Sequence, residues 1–222
     1  MPRRALIFDF DGLIVDTEGG IYQAWCELYG SQGQELALSD YVNCVGSTFG
    51  IFDPIAELER RVGKVLEWPP LIAAKDRRIR QLHAGLELLS GVRELLTEAL
   101  NRSVPCAVAS SSDARWIRGW LERFGLIPFF GALCSRDDVA LVKPAPDLFL
   151  CATKALGLPP SDCLVLEDSR NGLLAARAAG CPCIVVPSSV TRGSNFAEAE
   201  RVLDSLAGMT LEELLQPPET QL

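Results

Sequence analysis

Apolar residues follow two different patterns along the chain. Residues 5–8, Ala-Leu-Ile-Phe, form a short continuous apolar run, which is typical of a strand buried on both faces. Between residues 17 and 86 the apolar positions recur at helical spacing, on faces made of Ile21, Ala24, Trp25 and Leu28, of Ile55, Leu58, Val62 and Leu66, and of a third stretch at 71–82. From residue 91 onward, short apolar runs alternate with amphipathic stretches. One early strand is thus separated from the repeating pattern by a helical segment.

The alternation after residue 91 predicts a parallel α/β sheet. The predicted strands lie at 105–109, 132–134, 163–166 and 183–186, and the predicted helices at 92–100, 114–124, 146–156 and 171–179. We therefore expect the α/β class, with a doubly wound, Rossmann-like parallel-sheet core made of residues 1–16 and 87–222. Residues 17–86 are predicted to form an inserted α-helical cap domain, and such a cap suggests a gated site.

The amino-acid composition limits the kinds of binding partner expected for this chain. The 222 residues carry 21 Lys and Arg against 29 Asp and Glu, a net charge of -8. This balance argues against binding to nucleic acid or to an anionic membrane surface, because both require basic patches. No signal-like segment precedes the first strand, and no apolar run reaches the roughly 18 residues of a membrane span. Several of the eight cysteines fall inside apolar runs, which favours reduced thiols and a cytoplasmic protein.

The first strand ends at two aspartates. Asp9 and Asp11 are two residues apart, so they project to the same side if the strand continues. Two carboxylates this close repel each other unless a cation or a shared proton relieves them, which suggests Mg2+ or a nucleophile beside an acid or base. An Asp-Gly turn without any chemistry explains the same residues. Both interpretations remain open from this segment alone.

Polar residues follow the later strands as well. Ligands of open parallel sheets bind at the carboxyl ends of the strands, where this chain places Ser110-Ser111-Ser112, Lys143 and Glu167-Asp168-Ser169. Each group has an ordinary alternative, since serine and acidic residues cap helices and a lysine in a loop is often exposed. Together they favour a site, because carboxylates hold a metal while a hydroxyl and an ammonium hold phosphoryl oxygens.

Four motifs occur in order: Asp9-Phe10-Asp11-Gly12-Leu13, Ser110, Lys143-Pro144-Ala145-Pro146-Asp147-Leu148-Phe149, and Glu167-Asp168-Ser169-Arg170-Asn171-Gly172. With these motifs the chain resembles the haloacid dehalogenase superfamily of hydrolases, over residues 1–16 and 87–215. The helical insertion resembles the cap of the subfamily that includes β-phosphoglucomutases and small-metabolite phosphatases.

The resemblance implies a role for each motif. Asp9 would be the nucleophile that becomes an aspartyl phosphate, and Asp11 the general acid and base. The implied Mg2+ ligands are Asp9, the backbone carbonyl of Asp11, Asp168, and Glu167 directly or through water. The implied phosphoryl-binding residues are Ser110, Ser111 and Lys143.

The residue at position 11 indicates which kind of reaction within the superfamily to expect. Dehalogenases of the superfamily lack the acid at Asp11, and a leaving alkoxide needs a proton whereas a halide does not, so phosphate ester chemistry is expected. Ile21 stands where the resembling mutases carry a histidine, which favours a phosphatase over a mutase. A β-phosphoglucomutase-type mutase and a non-catalytic module that binds phosphorylated metabolites remain the alternatives.

Substrate determinants are expected in the cap. Ser47, in the Gly46-Ser47-Thr48 loop, and Arg78, in the basic stretch 75–80, are the candidates, although a loop residue and a solvated helix face explain them equally. The single histidine, His83, is interpreted as a residue of the cap surface. The expected partner is a small phosphorylated metabolite, foremost a sugar phosphate, bound by a monomer or weak dimer.

Overall fold

A computed structural model describes residues 3–47 and 52–217, and it contains one parallel sheet flanked by helices. Six strands are arranged in the order β3-β2-β1-β4-β5-β6. Their bounds are β1 Ala5–Phe8, β2 Cys106–Ala109, β3 Ala132–Cys134, β4 Cys163–Glu167, β5 Cys183–Val185 and β6 Arg201–Val202. The predicted α/β class and Rossmann-like parallel sheet are confirmed.

Nine α-helices lie within the described part of the chain. Four of them follow β1: α1 Glu18–Ser31, α2 Leu38–Tyr41, α3 Pro54–Val62 and α4 Trp68–His83. The other five are α5 Val92–Asn101, α6 Ala114–Arg123, α7 Asp147–Leu156, α8 Arg170–Ala179 and α9 Leu211–Leu215. None of the helices in residues 3–47 and 52–217 has the length and apolar character needed to cross a membrane.

Strand β1 lies in the middle of the sheet because its four residues are apolar on both faces. Leu6 and Phe8 pack into one apolar layer and Ala5 and Ile7 into the other, and all four are fully buried. Alternate residues of a strand point to opposite faces, so a continuous apolar run suits a strand covered on both sides. The carboxyl end of β1 is therefore placed at the centre of one sheet edge.

The helices that follow β1 have an apolar cluster of their own. Trp25, Leu28 and Tyr29 of α1 pack with Leu58 of α3, and Val190 from the core side joins the same cluster. The contacts between α1 and α4 are extensive. The limits of a separate cap domain at 17–86 stay a prediction, which this cluster supports.

The structure differs from the predicted elements in three places. Helix α4 begins at Trp68, earlier than predicted, because Pro69 and Pro70 occupy its first turn, where a missing N–H costs nothing. Helix α2 was not predicted as an element of its own. Strand β6 extends the sheet beyond β5, which was predicted to complete it.

Candidate active site

The carboxyl ends of β1, β2 and β4 meet at one edge of the sheet. Phe8, the last residue of β1, is in register with Val108 of β2 and with Leu166 of β4. The polar residues that follow these positions are consequently brought together, although they are far apart in the sequence. They are Asp9, Ser110, Glu167 and Asp168, and each is at most 4% exposed.

Lys143 lies between two carboxylates at this edge. Its ammonium donates to Oδ1 of Asp9 and to Oε1 of Glu167, the second at 2.5 Å, and its side chain is fully buried. Burial opposes a charged lysine, but Asp9 and Glu167 outweigh burial and raise the pKa of Lys143. Burial raises the pKa of Asp9, and the adjacent Lys143 acts in the opposite direction. A permanent positive charge therefore stands beside Asp9.

Glu167 holds Lys143 in place. The second carboxylate oxygen of Glu167 accepts the backbone N–H groups of Asp168 and Ser169, each at 2.9 Å, and the Ser169 hydroxyl at 3.0 Å. Position 172 must be glycine, since a Cβ there would overlap the Glu167 carboxylate. Both oxygens of Glu167 are thus occupied by protein donors.

Asp168 is different, because no donor in the described residues satisfies it. Both of its carboxylate oxygens are buried without a hydrogen-bond partner. Burial, followed by the neighbouring Glu167 and Asp9, raises its pKa, and the Ser188 hydroxyl acts in the opposite direction. Gly12, at φ 83°, packs its backbone against this carboxylate and leaves no room for a Cβ. An orphaned buried carboxylate requires a proton or a cation.

The carboxylates form a set that suits a divalent metal. One oxygen from each of Asp9, Glu167 and Asp168 lies within 4.8 Å of the other two. Oxygen ligands in a small cluster that stays open to further ligands are what Mg2+ prefers. The residues present therefore fit a metal, with Asp168 offering the free oxygens.

Three donors hold the carboxylate of Asp11. The Thr17 hydroxyl donates to Oδ1 at 2.6 Å, the Trp116 indole N–H donates to the same oxygen at 2.9 Å, and the Ser112 hydroxyl donates to Oδ2 at 2.5 Å. The three donors come from the start of α1, the loop after β2 and helix α6. Asp11 is 9% exposed, so it faces an opening rather than the core.

That opening is a cavity of about 750 Å3 between the sheet edge and the helices α1 and α4. Asp9, Asp11 and the three serines 110–112 line one side of it. The opposite side carries apolar, acidic and basic residues, among them Ile21, Glu18, Lys75 and Arg80. The site is large enough for a small metabolite.

The motifs at the sheet edge match a known family. A model of the haloacid dehalogenase-like hydrolases matches residues 6–186, which include β1 from Leu6 onward, strands β2 to β5, and the site residues from Asp9 to Asp168. The chain belongs to this family.

Known proteins match this chain over most of its length. YhcW of Bacillus subtilis (strain 168) is 38% identical over 98% of this chain and 99% of its own. Fructose-1-phosphate phosphatase YqaB of Escherichia coli (strain K12) is 33% identical over 82% of this chain and 95% of its own. A crystal structure of a CbbY variant from Rhodobacter sphaeroides in complex with xylulose-(1,5)bisphosphate is 30% identical, with a TM-score of 0.80 over 96% of this chain and 100% of that chain. The predicted family is confirmed, and within it the chain is a phosphatase-type hydrolase.

Two predicted site residues connect the helical segment to the sheet edge of this family fold. The Ser47 hydroxyl donates to the backbone carbonyl of Lys143, and the Ser111 hydroxyl donates to that of Gly46 at 2.9 Å. The side-chain amide of Asn171 donates to two further carbonyls of the same loop, at 3.1 and 2.9 Å. Ser47 also lines the cavity, whereas Thr48 lies outside the described residues.

The structure does not bring Arg78 to the cavity. Its guanidinium forms a bidentate contact with Glu27 of α1 at the surface, and Lys75 and Arg80 of the same helix line the cavity instead. The interpretation of His83 as a surface residue is wrong. It is 4% exposed, and its ring packs against Trp116 and Trp120 of α6.

Sequence reasoning missed four residues at the site: Thr17, Glu18, Tyr41 and Trp116. Thr17 lies close to the first motif, so its proximity in sequence offered a signal. Trp116 offered none, since its position reads as part of an amphipathic helix. Glu18 and Tyr41 line the cavity at 8% and 4% exposure.

Proposed function

We propose that the chain is a Mg2+-dependent phosphatase of small phosphorylated metabolites, sugar phosphates foremost, acting through an aspartyl phosphate at Asp9. The observation that carries the proposal is the pairing of Asp9 with two unlike neighbours. On one side stands the Lys143 ammonium, and on the other the unpartnered carboxylate of Asp168. The Asp9 carboxylate lies close both to the Lys143 cation and to the Asp168 oxygens, which are available to bind a metal. This arrangement suits attack of Asp9 on a phosphate ester.

Asp9 and Asp168 would hold the metal, together with the backbone carbonyl of Asp11. Glu167 would contribute indirectly, because its oxygens are occupied by Lys143 and backbone donors. The bound Mg2+ would neutralise negative charge on the phosphoryl oxygens and on the nucleophile.

Each residue of the site has a separate role in the reaction. The Asp9 carboxylate attacks phosphorus while Asp11 protonates the leaving oxygen, and Ser110 with Lys143 binds the phosphoryl oxygens. In the second half, Asp11 removes a proton from water, which attacks the aspartyl phosphate and releases phosphate. Lys143 lowers the repulsion between an anionic nucleophile and an anionic substrate, which is the main electrostatic obstacle to this reaction.

The cavity wall supports a hydroxylated substrate. Glu18 and Tyr41 place a carboxyl and a phenol hydroxyl on the cavity wall, where a ligand that can hydrogen-bond to them is favoured. Burial, followed by Asp11 and Asp9, raises the pKa of Glu18. A relative that dephosphorylates fructose 1-phosphate and another that binds a xylulose bisphosphate point to the same class.

A mutase of the β-phosphoglucomutase type is the second candidate, and Ile21 argues against it. Ile21 lines the cavity, and an aliphatic side chain cannot hydrogen-bond to a second sugar hydroxyl. Water is therefore the favoured acceptor of the phosphoryl group.

A panel of phosphate esters tests the proposal. Purified protein with Mg2+ should release inorganic phosphate from fructose 1-phosphate or related sugar phosphates, and chelation should stop the release. β-Glucose 1-phosphate separates the candidates, because a mutase yields glucose 6-phosphate and a phosphatase yields free glucose and phosphate. Absence of phosphate release from every ester, with the protein folded and Mg2+ present, would support a non-catalytic binding module instead.

We further propose a cytoplasmic protein that is a monomer or weak dimer. The eight cysteines, all described, are free, and six of them are buried, which suits a reducing compartment. Light scattering at several protein concentrations measures the oligomeric state.

A further inference from the structure

The two carboxylate oxygens of Asp11 have different surroundings. Oδ1 accepts two hydrogen bonds, from the Thr17 hydroxyl at 2.6 Å and from the Trp116 indole N–H at 2.9 Å. Oδ2 accepts one, from the Ser112 hydroxyl at 2.5 Å. An acid that must gain and lose a proton therefore has one crowded oxygen and one oxygen with a single partner.

The chemistry of the donors sharpens this difference. An indole N–H can only donate, so Trp116 always requires an acceptor at Oδ1. A serine hydroxyl can donate or accept, so Ser112 can donate to an ionised Oδ2 and accept from a protonated one. A proton on Oδ1 would compete with both of its donors, whereas a proton on Oδ2 requires only that the Ser112 hydroxyl rotates.

We propose that Trp116 is a positioning residue for Asp11: it keeps Oδ1 as a hydrogen-bond acceptor, so that Oδ2 is the oxygen that gives and takes the proton. This assignment rests on the proposed function and adds to it the identity of the working oxygen and of the side chain that selects it.

His83 holds both donors of Oδ1. Its ring lies against Trp116 with centroids 5.7 Å apart, and its Nε2 is 3.0 Å from the backbone carbonyl of Thr17. Because a carbonyl only accepts, Nε2 carries the hydrogen. Trp120 packs against the other side, 5.9 Å from each of the two rings. The indole of Trp116 is thus fixed between the last residue of α4 and its own helix.

The proton balance of the reaction follows from this geometry. When the Asp9 carboxylate forms its bond to phosphorus, the bond from phosphorus to the leaving oxygen breaks and its electron pair stays on that oxygen. The leaving oxygen takes the proton from Oδ2 of Asp11, which becomes a carboxylate with three donors. In the second half, the water oxygen forms a bond to phosphorus while Oδ2 takes its proton, and the bond from phosphorus to Asp9 breaks with its electron pair returning to the Asp9 carboxylate.

Esters with unlike leaving groups test the assignment. Trp116→Phe retains an aromatic ring between His83 and Trp120 but removes the N–H. Benzyl phosphate leaves as an alkoxide that needs a proton, whereas p-nitrophenyl phosphate, of similar size, leaves as a stable phenolate that does not. In Mg2+, kcat/KM of the variant for benzyl phosphate should fall by about tenfold, part of the roughly 10²–10⁴ that general acid catalysis contributes, while that for p-nitrophenyl phosphate changes less than about twofold.

Trp68→Phe is the matched control, since it also removes an indole N–H, one that donates to Glu59 at 2.8 Å, and Trp68 is not among the residues that line the cavity; both esters should react at nearly the wild-type rate. Thr17→Val removes the other donor to Oδ1 and should reproduce the selective loss, which keeps the test valid if Trp116→Phe does not fold. Equal losses for the two esters, or no loss for either, in a folded Trp116→Phe would overturn the assignment alone. Failure of the wild-type enzyme to release phosphate from these two esters and from every sugar phosphate of the panel would overturn the proposed function and the assignment with it.

Discussion

Replacement of Gly172 by alanine should disrupt the active site by displacing Glu167, which supports Lys143. A Cβ at position 172 would lie well inside the 3.0 Å below which such atoms are essentially never found, and the atoms it would meet belong to the Glu167 carboxylate. That carboxylate cannot move freely, because it is fully buried and accepts four hydrogen bonds, one of them from Lys143. The added methyl group must therefore displace either Glu167 or the start of α8.

The expected cost follows from what is displaced. Separating a buried ion pair destabilises a protein by about 3–5 kcal/mol, so urea unfolding followed by tryptophan fluorescence should show a loss of about 3 kcal/mol or more. Lys143 would lose one of its two anchors beside Asp9, and a misplacement of about 1 Å can cost roughly a hundredfold in rate. The rate of phosphate release by the folded fraction should fall accordingly.

Gly119→Ala supplies the control in another helix. An added Cβ at Gly119 meets no atom within 4 Å, and α6 continues on both sides of it. This variant should gain about 0.4–1 kcal/mol, because alanine loses less backbone entropy in a helix. If Gly172→Ala unfolds within about 1 kcal/mol of the wild type and retains its activity, Glu167 is not a fixed support for Lys143.

Three further substitutions test individual assignments. Asp9→Asn should lower turnover by at least about a thousandfold while the protein stays folded by circular dichroism, since an amide cannot form the acyl phosphate; retained turnover would disprove the nucleophile assignment. Asp168→Ala should raise the Mg2+ concentration for half-maximal activity by about tenfold or more, and an unchanged metal titration would exclude Asp168 as a ligand. Lys75→Ala should raise KM for the best substrate of the panel by several fold, whereas Arg78→Ala should leave KM unchanged, because Arg78 pairs with Glu27 outside the cavity; the reverse order would restore Arg78 as the substrate contact.

The predicted site residues that the structure brings together are those that follow the strands. A short apolar run ends abruptly at Asp9, and parallel strands have their carboxyl ends at one edge. The spacing of Ser110, Lys143 and Asp168 after later strands was therefore sufficient to bring them together with Asp9. No knowledge of the helices was needed.

The sequence could not predict which residues the packing of the helices brings to the site. Trp116 reaches Asp11 only because α6 packs in one rotational setting, and periodicity does not fix that setting to within one residue. The burial of His83 depends on where the end of α4 meets α6, which its own flanking residues do not reveal. The choice between Lys75 and Arg78 is a similar case, since both belong to one basic stretch and the partner that turns Arg78 away, Glu27, lies on another helix.

The shortness of β6 explains why it escaped prediction. Arg201 and Val202 form no apolar run, and their strand conformation comes from pairing with Ile184 and Val185 of β5. A strand of this kind is defined by its neighbour rather than by its own sequence.

The central place of β1 also has a kinetic consequence. Leu6 pairs with Cys106 on one side and Ala5 with Cys163 on the other, so β1 finds one neighbour about 100 residues later in the chain and the other more than 150 residues later. Pairings between such distant residues slow folding. An N-terminal fragment ending before β4 would leave one edge of β1 unpaired, Asp9 without Asp168, and Lys143 without its partner Glu167. Enzymatic activity should therefore report completed folding, and its appearance during refolding would time the docking of β4.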